Sequence, residues 1–185
     1  MSAAGEARFF TIGHSNRAPQ VVVDMLREAG VELLVDVRSF PKSRSNPDFN
    51  DDRFPDVLAA HQIGYRHMLS LGGRRAKQPG VDPEVNAYWR VRSFQNYADY
   101  AMGAEFQAAF RELVALGAER PLALMCAEAV WWRCHRRIIT DHLLLKDHAV
   151  THLMAPGRMD AAKATEAARL RRDGVVVYPA KSDSP

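Results

Sequence analysis

The chain has 185 residues, of which 47% are apolar and 25% are charged. This composition excludes a disordered or fibrous protein, and the length suits one folded domain around a single core. The net charge of +3 permits an acidic ligand without showing that one exists.

No apolar run approaches the ~20 residues that span a bilayer, and the opening MSAAGEARFF lacks the pattern of a signal peptide. We therefore expect a cytoplasmic protein that makes no membrane contact. Its cysteines, Cys126 and Cys134, lie in one short segment and cannot form the disulfide framework of a small secreted domain. We expect both to be reduced thiols.

The first third of the chain has the pattern of a strand, a helix and a second strand. FFTI, residues 9–12, predicts a short strand, and residues 21–29 have a helical apolar spacing that stops at Gly30. LLVDV, residues 33–37, is the kind of apolar run that is buried on both faces of a parallel sheet. The Pro, Ser, Asn and Asp residues between 39 and 53 predict a long loop.

The middle of the chain alternates short elements with a second irregular stretch. Residues 54–61 predict a helix, and GYRHM, residues 64–68, predicts a short strand. Residues 71–84 contain glycines, prolines and basic side chains, which favour irregular structure. Residues 97–116 predict one or two amphipathic helices.

The last third repeats the alternation. PLALMC, residues 121–126, predicts a strand, and after a loop we expect a helix over about 135–146. AVTHLM, residues 149–154, predicts another strand. MDAAKATEAARLRRDG, residues 159–174, has the composition of a helix, and VVVY, residues 175–178, is a candidate final strand.

Strands that alternate with helices predict a single α/β domain with a mainly parallel sheet flanked by helices on both faces. We assign the domain to residues 9–178, with a disordered or extended N-terminus at 1–8 and a flexible tail at 179–185. Ligands of such sheets bind at the carboxyl ends of the strands. The loops GHSNR, RSFPKSR and CAEAVWWRCHRR should therefore share one rim and form an arginine-rich, anion-binding crevice.

Cys126 ends a predicted buried strand and precedes a loop into a helix, where backbone N–H groups and the helix dipole favour an anion or a thiolate. Arg133 closes that loop. Thiol phosphatases and rhodanese-type sulfurtransferases have this general arrangement of a cysteine and an arginine. Their loops are rich in glycine, whereas AEAVWWR contains none. A small buried core cysteine is the alternative interpretation.

Four further side chains are candidates for acid–base chemistry. Glu128, the only acid in that loop, is either a salt-bridge partner or a general base. His135, at the start of the next helix, is placed to bind a phosphate or to transfer a proton. His14 and Asp36 follow the first two strands, and a carboxylate beside a histidine suits acid–base catalysis. Asp36 paired with a neighbouring arginine is the alternative.

Arginine greatly outnumbers lysine, and its planar fork matches phosphate and carboxylate groups. Several of the arginines lie close together in the sequence, and for any one such group taken alone the alternative is a solvated surface. The expected substrate-binding residues are Ser15, Arg38, Ser43, Arg44, Gly72, Gly73, Arg74, Arg133, Cys134 and Arg136. We expect no metal and no cofactor, because the spacing of the two cysteines does not match the paired ligands of structural zinc sites.

The motifs TIGHSN, LVDVRSFPKSR, GYRHMLSLGGRR, LMCAE and CHRRII resemble a known family, the uncharacterised domain of unknown function 488. The resemblance runs from residue 9 to about residue 153. The resemblance implies that most of the candidate residues named above, and also Pro41, occupy positions of the family's motifs. Arg44, Arg74 and Arg133 are the candidates that do not. The apolar AVWW departs from the polar loop typical of the family and marks a contact with a partner or a stacked base.

Three functions fit these residues. The first is an enzyme that acts on a phosphate-bearing substrate, such as a nucleotide or a nucleic acid, by hydrolase-like chemistry with Glu128 or Asp36 as the base. The second is sulfur or phosphate transfer by a nucleophilic Cys126. The third is a non-catalytic module that binds nucleic acid through its arginines and the aromatic pair Trp131 and Trp132. The expected partner is thus an anionic small molecule or a nucleic acid.

Overall fold

The structure, a computed structural model, describes residues 9–181. The predictions made for residues 1–8 and for the last four residues lie outside this part of the chain. Eight strands are present within it: β1 (Phe9–Gly13), β2 (Leu33–Asp36), β3 (Gly64–His67), β4 (Leu122–Cys126), β5 (Val150–Ala155), β6 (Arg158–Ala161), β7 (Arg169–Leu170) and β8 (Val176–Val177).

Six of these strands form one sheet in the order β3-β2-β4-β1-β5-β6, and β7 and β8 form a small antiparallel pair. β1 to β5 are mutually parallel, and only β6, which returns along β5, is antiparallel. The predicted α/β domain with a mainly parallel sheet is confirmed. β4 lies between β1 and β2, so the ends of these three strands are neighbours at one edge.

The described part of the chain contains five α-helices: α1 (Pro19–Glu28), α2 (Phe54–Ala59), α3 (Arg92–Ala101), α4 (Ala104–Glu119) and α5 (Arg136–Leu145). α1 begins with Pro19 in its first turn and is followed by Gly30 at φ +73°, a conformation that glycine adopts without strain. No helix in residues 9–181 is long and apolar enough to cross a membrane.

The buried side chains form two clusters around the sheet. Phe9, Leu33 and Leu122 belong to the cluster that includes α3, α4 and α5. Phe10 and Leu34, their neighbours along the chain, belong to the cluster that includes α1 and α2. Consecutive strand residues point to opposite faces of a sheet, so both faces of the central strands are covered by apolar side chains. This explains why those strands are almost uninterrupted apolar runs in the sequence.

The helix predicted over residues 159–174 is wrong. This segment contains β6, an irregular stretch and β7 instead. Gly157, at φ +74°, closes the turn that pairs β6 with β5, and the backbone N–H of Thr165 donates to Oδ1 of the buried Asp141 at 2.8 Å. Helix propensities differ by only a few tenths of a kcal/mol per residue. Pairing with the edge of the sheet and with a buried carboxylate therefore outweighs the alanine-rich composition.

Candidate active site

The loops that follow β1, β2 and β4 are joined at the edge of the sheet by backbone hydrogen bonds. The N–H of His14 donates to the carbonyl of Cys126 at 3.0 Å, and the N–H of Ser15 donates to the carbonyl of Ala127 at 2.9 Å. On the other side of β4, the N–H of Val37 donates to the backbone carbonyl of Met125 at 3.0 Å. The predicted convergence of the three loops is therefore confirmed.

Gly13 permits this close approach of the first and third loops. A Cβ at this position would lie 1.9 Å from the backbone oxygen of Glu128, far inside a real contact distance. Two residues later Ser15 has φ +47°, which is uncommon for a residue other than glycine. The carbonyl of Ser15 accepts hydrogen bonds from Nδ1 of His14 at 2.8 Å and Nδ2 of Asn46 at 2.6 Å. The tight turn is thus fixed from two sides.

The two cysteines are free thiols, and their Sγ atoms are 2.8 Å apart. Cys126 is the last residue of β4, and Cys134 is the last residue before the turn that starts α5. Both side chains are buried, but both line the same cavity. The strand and the helix therefore bring together two sulfur atoms that are eight residues apart in sequence.

Polar groups surround the sulfur of Cys134. The backbone N–H and the Nε–H of Arg136 approach it at 3.4 and 3.5 Å, and Nδ1 of His135 lies 3.5 Å away. Burial alone would raise the pKa of the Cys134 thiol. The hydrogen bond from Cys126, together with His135 and the charge of Arg136, outweighs burial and holds this pKa well below its usual value.

Cys126 has the opposite character. Burial raises the pKa of its thiol, and the adjacent Cys134 raises it further, both through their hydrogen bond and by repulsion between two thiolates. Cys126 therefore keeps its proton and donates it to Cys134. One of the three functions considered from the sequence makes Cys126 the nucleophile, with Cys134 as a binding residue, whereas the surroundings of the two sulfurs favour the thiolate at Cys134.

His135 is oriented by two contacts. Its Nε2 lies 2.7 Å from the backbone carbonyl of Val37, which can only accept, so Nε2 carries a proton and Nδ1 faces Cys134. Gly73 lies against the other side of the imidazole, where a Cβ would come within 2.5 Å of Nδ1. Any side chain at residue 73 would consequently push His135 away from the sulfur.

Arg136 is fully buried and is directed inward, away from the cavity. Its Nη2 donates to the backbone oxygen of Glu128, and its Nη1 lies 3.4 Å from Oγ1 of Thr11. Burial would lower the pKa of Arg136, but the two neighbouring thiols raise it, so the guanidinium keeps its charge. Arg136 thus supports the loop and the thiolate from behind.

Asp36 is completely buried and bonded to several donors. Its carboxylate accepts from the backbone N–H, Nε and Nη2 of Arg38 at 3.1, 2.9 and 2.7 Å, and from the hydroxyl of Tyr65 at 2.5 Å. Burial and the negative charge of Asp36 raise the pKa of Tyr65, which therefore remains a donor. With its oxygens engaged in this way, Asp36 positions Arg38 at the cavity wall.

His14 is also buried, and its ring stacks on Phe49 at 4.3 Å between centroids. Its Nδ1 lies 2.8 Å from the carbonyl of Ser15 and therefore donates to it, so Nε2 accepts from Nη1 of Arg38 at 3.3 Å. Burial lowers the pKa of His14, and the nearby positive charge of Arg38 lowers it further. A neutral His14 thus helps Asp36 to orient the same guanidinium.

A cavity of about 500 Å³ opens onto the two sulfur atoms. We call it the thiol cavity; its wall contains Arg38, Ser39, Phe40, Gly73, Arg74, Ser93, Phe94, Cys126, Ala127, Glu128, Arg133, Cys134 and His135. Glu128 is exposed, and one of its carboxylate oxygens accepts from the backbone N–H of Val130 at 3.2 Å. The other oxygen remains available to a ligand, and Arg74 and Arg133 supply positive charge to the same volume.

A second cavity of about 490 Å³ adjoins the thiol cavity through Arg38 and Phe40. It is lined by His14, Ser15 and Ser43, three of the predicted site residues. The predicted residues that line neither cavity are Asp36, Arg44, Gly72 and Arg136. Gly72 instead packs under Ser39, whose Oγ would lie 2.7 Å from an added Cβ, and Arg44 is exposed on the second loop.

Sequence reasoning missed several side chains that hold this site. Phe49 supplies the ring beneath His14 and the carbonyl that accepts from Nη2 of Arg38 at 2.7 Å. Thr11 lies between Arg136 and His152, with its Oγ1 2.6 Å from Nδ1 of that histidine. Thr11 lies on β1, His152 lies on β5, and Phe49 lies on a short 3₁₀ turn. Contacts between residues that are so far apart in the chain leave no local signal in the sequence.

The described residues contain no group of three or more His, Cys, Asp or Glu side chains placed to hold a metal ion. Backbone N–H groups of the loop after β4 are also engaged: Arg133 donates to Val130 at 3.1 Å, and Cys134 donates to Trp131 at 3.2 Å. This loop therefore differs from the glycine-rich loops that cradle an oxyanion with backbone amides. The positive charge at the wall of the thiol cavity comes from guanidinium groups instead.

The fold and the site together define a parallel α/β domain with a buried pair of thiols at the carboxyl ends of its central strands. The chain belongs to the family described as Domain of unknown function DUF488, whose model matches residues 18–143. This confirms the family expected from the motifs. Comparisons with curated proteins and with solved structures found no match.

Proposed function

We propose that this protein is a thiol-dependent enzyme that acts on an anionic substrate, with Cys134 as its nucleophile. The observation that carries the proposal is the set of donors around Cys134: the S–H of Cys126 at 2.8 Å and two N–H groups of Arg136 within 3.5 Å. These neighbours hold the pKa of the Cys134 thiol well below its usual value and so favour the thiolate, which is the nucleophilic form of cysteine.

The other residues of the cavity have roles that fit this chemistry. Arg74, Arg133 and Arg38 attract and orient the negatively charged group of the substrate. The thiolate then attacks the electrophilic atom of the substrate, and the leaving group departs with the electron pair of the broken bond. His135, whose Nδ1 lies beside the sulfur, donates a proton to the leaving group and takes one back from the water molecule that then attacks the covalent intermediate. This second attack breaks the bond to sulfur and releases Cys134 as a thiolate, which again accepts the hydrogen bond from Cys126.

The alkylation rate of each cysteine tests this assignment without knowledge of the substrate. With iodoacetamide as the probe and peptide mass spectrometry as the readout, Cys134 should react with a pH midpoint below that of a free thiol, about 8.5. The Cys126→Ser variant should keep a reactive Cys134. Faster alkylation of Cys126 than of Cys134, or a midpoint for Cys134 equal to that of glutathione, would contradict the proposal.

The preference for an anion can be measured with the same reaction. Iodoacetate and iodoacetamide carry the same electrophilic carbon, but only iodoacetate is negatively charged. Relative to glutathione, Cys134 should favour iodoacetate, and the double variant Arg74→Gln/Arg133→Gln should lose that preference. Arg27→Gln, at an exposed position of α1, is the matched control and should leave it unchanged. An iodoacetate preference no greater than that of glutathione would exclude an anion site.

Acid–base catalysis by Glu128 is a second candidate. Within the part of the chain that the structure describes, Glu128 is the only carboxylate in the wall of the thiol cavity, and its side chain is exposed. A general base removes a proton from a water molecule or from a hydroxyl group, which then attacks a phosphate-bearing substrate without a covalent bond to sulfur. Turnover of a phosphate ester that survives Cys134→Ser and disappears in Glu128→Gln would favour this candidate over the thiol mechanism.

A further inference from the structure

A larger cavity of about 1000 Å³ lies beside the thiol cavity. The two share the side chains of Phe94 and Arg133, so the volumes adjoin. The larger one extends past the segment before α3 to the chain after β8, where Lys181 forms part of its wall. We call it the aromatic groove. Apart from Arg133, its residues have no role in the thiol chemistry proposed above.

The charge of the two cavities is strongly biased. Their walls contain six cationic side chains: Arg38, Arg74, Arg90, Arg133, Arg137 and Lys181. Among the described residues, only one carboxylate, that of Glu128, lines either cavity, although the whole chain has 22 acidic residues against 25 basic ones. Arg38 and Lys181 have carboxylate partners, but within residues 9–181 the other four have none within 4.0 Å. Such a concentration of unneutralised arginine favours a ligand with several negative charges.

The groove also presents aromatic surfaces. Trp132 is 46% exposed in its wall, which is unusual for so large an apolar side chain. Trp89 stacks on Phe94 at 5.0 Å between centroids, and Arg137 lies over the Trp89 ring at 4.9 Å. The Nε1–H of Trp89 is buried and has no hydrogen-bond partner among the described residues. A buried donor without a partner is costly, and an oxygen acceptor from a ligand would satisfy it.

We propose that the aromatic groove binds a single-stranded nucleic acid and brings it to the thiol cavity. This inference rests on the proposed function and names its substrate class. Guanidinium groups meet the phosphates, while unpaired bases stack on exposed rings such as Trp132. A purely acidic polypeptide such as polyglutamate has the charge but no flat rings for these surfaces. A double strand hides its bases in the stack, and one nucleotide is too small to span two adjoining cavities.

The test is the affinity of the full-length protein for fluorescently labelled oligonucleotides of about ten residues, a length within the usual site size of single-strand binders. Fluorescence anisotropy should show binding that weakens steeply with added salt, since phosphate contacts release counterions. Trp132→Ala should weaken binding about tenfold, as expected when one stacked base is lost. Arg90→Gln/Arg137→Gln should weaken it and flatten the salt dependence, and Arg27→Gln should change neither.

Several results would overturn this inference. They are no binding, binding that does not respond to salt, and affinities unchanged in the Trp132 and arginine variants. Equal affinity for a duplex or for a mononucleotide would exclude a single-strand site, and equally strong competition by polyglutamate would point to an acidic polypeptide. The alkylation of Cys134 is measured separately, so failure of the groove and failure of the thiol mechanism give different results.

Discussion

Replacement of Asp36 by asparagine decides whether this carboxylate is structural or catalytic. An asparagine at this position would still accept from the backbone of Arg38, but its amide would face Nη2 of Arg38 and the hydroxyl of Tyr65, which are both donors. The buried guanidinium would also lose its counter-charge. Breaking a buried ion pair by removal of one partner costs roughly 3 to 5 kcal/mol. We expect Asp36→Asn to lower the free energy of unfolding by about this amount.

Urea unfolding followed by circular dichroism measures the effect. With a denaturant slope of about 2 to 3 kcal/mol per molar urea, the midpoint should fall by roughly 1 to 2.5 M. Asp173→Asn is the matched control, because Asp173 pairs with Arg171 on the surface, where an ion pair contributes little. If Asp36→Asn is as stable as the wild type, the structural role is refuted and Asp36 becomes available again as a general base.

Three further predictions follow from single contacts. Gly73→Ala should displace the ring of His135, so Cys134 should be alkylated more slowly, while the circular dichroism spectrum stays unchanged. An unaltered alkylation rate would mean that His135 does not contribute to the reactivity of Cys134. Burial lowers the pKa of His142 to about 4, so the unfolded chain binds the extra proton and stability should fall by about 2 kcal/mol as the pH drops from 7.5 to 5. The His142→Gln variant should show a smaller loss over that range, and an equal loss would place the titrating group elsewhere. Because their sulfur atoms are so close, Cys126 and Cys134 should form an intramolecular disulfide when the protein is treated with a thiol oxidant such as diamide. Mass spectrometry detects this disulfide as the loss of two hydrogens. A mass that stays unchanged would contradict the observed proximity.

Much of the site could be predicted because its residues follow strands that are obvious in the sequence. The apolar runs at 33–37 and 121–126 identify parallel strands, and parallel strands end at one edge. The rule that ligands bind at this edge then groups His14 with Cys126 although they are far apart in the chain. Neither step needs a side-chain contact, so local patterns are sufficient.

The roles of these residues could not be predicted in the same way. Asp36 and Arg38 are two residues apart, which is consistent with either a base or an ion pair, and only the burial of both decides for the ion pair. The distribution of protons between the cysteines likewise depends on Arg136 and His135, whose side chains lie beside the sulfur of Cys134 in the folded structure. The pKa of a thiol is set by what surrounds it in space, and spacing along the chain does not specify that.

The C-terminal segment shows the same division most clearly. Its alanines, lysines and arginines favour a helix by intrinsic propensity, yet residues 158–161 complete the edge of the sheet. The sequence by itself determined the five parallel strands and the edge where their loops meet, because hydrophobic periodicity and glycine positions act locally. Only the tertiary structure decided that β6 pairs with the edge of the sheet at β5 and that Cys134 has the lower thiol pKa of the two cysteines, because both depend on groups brought together by folding.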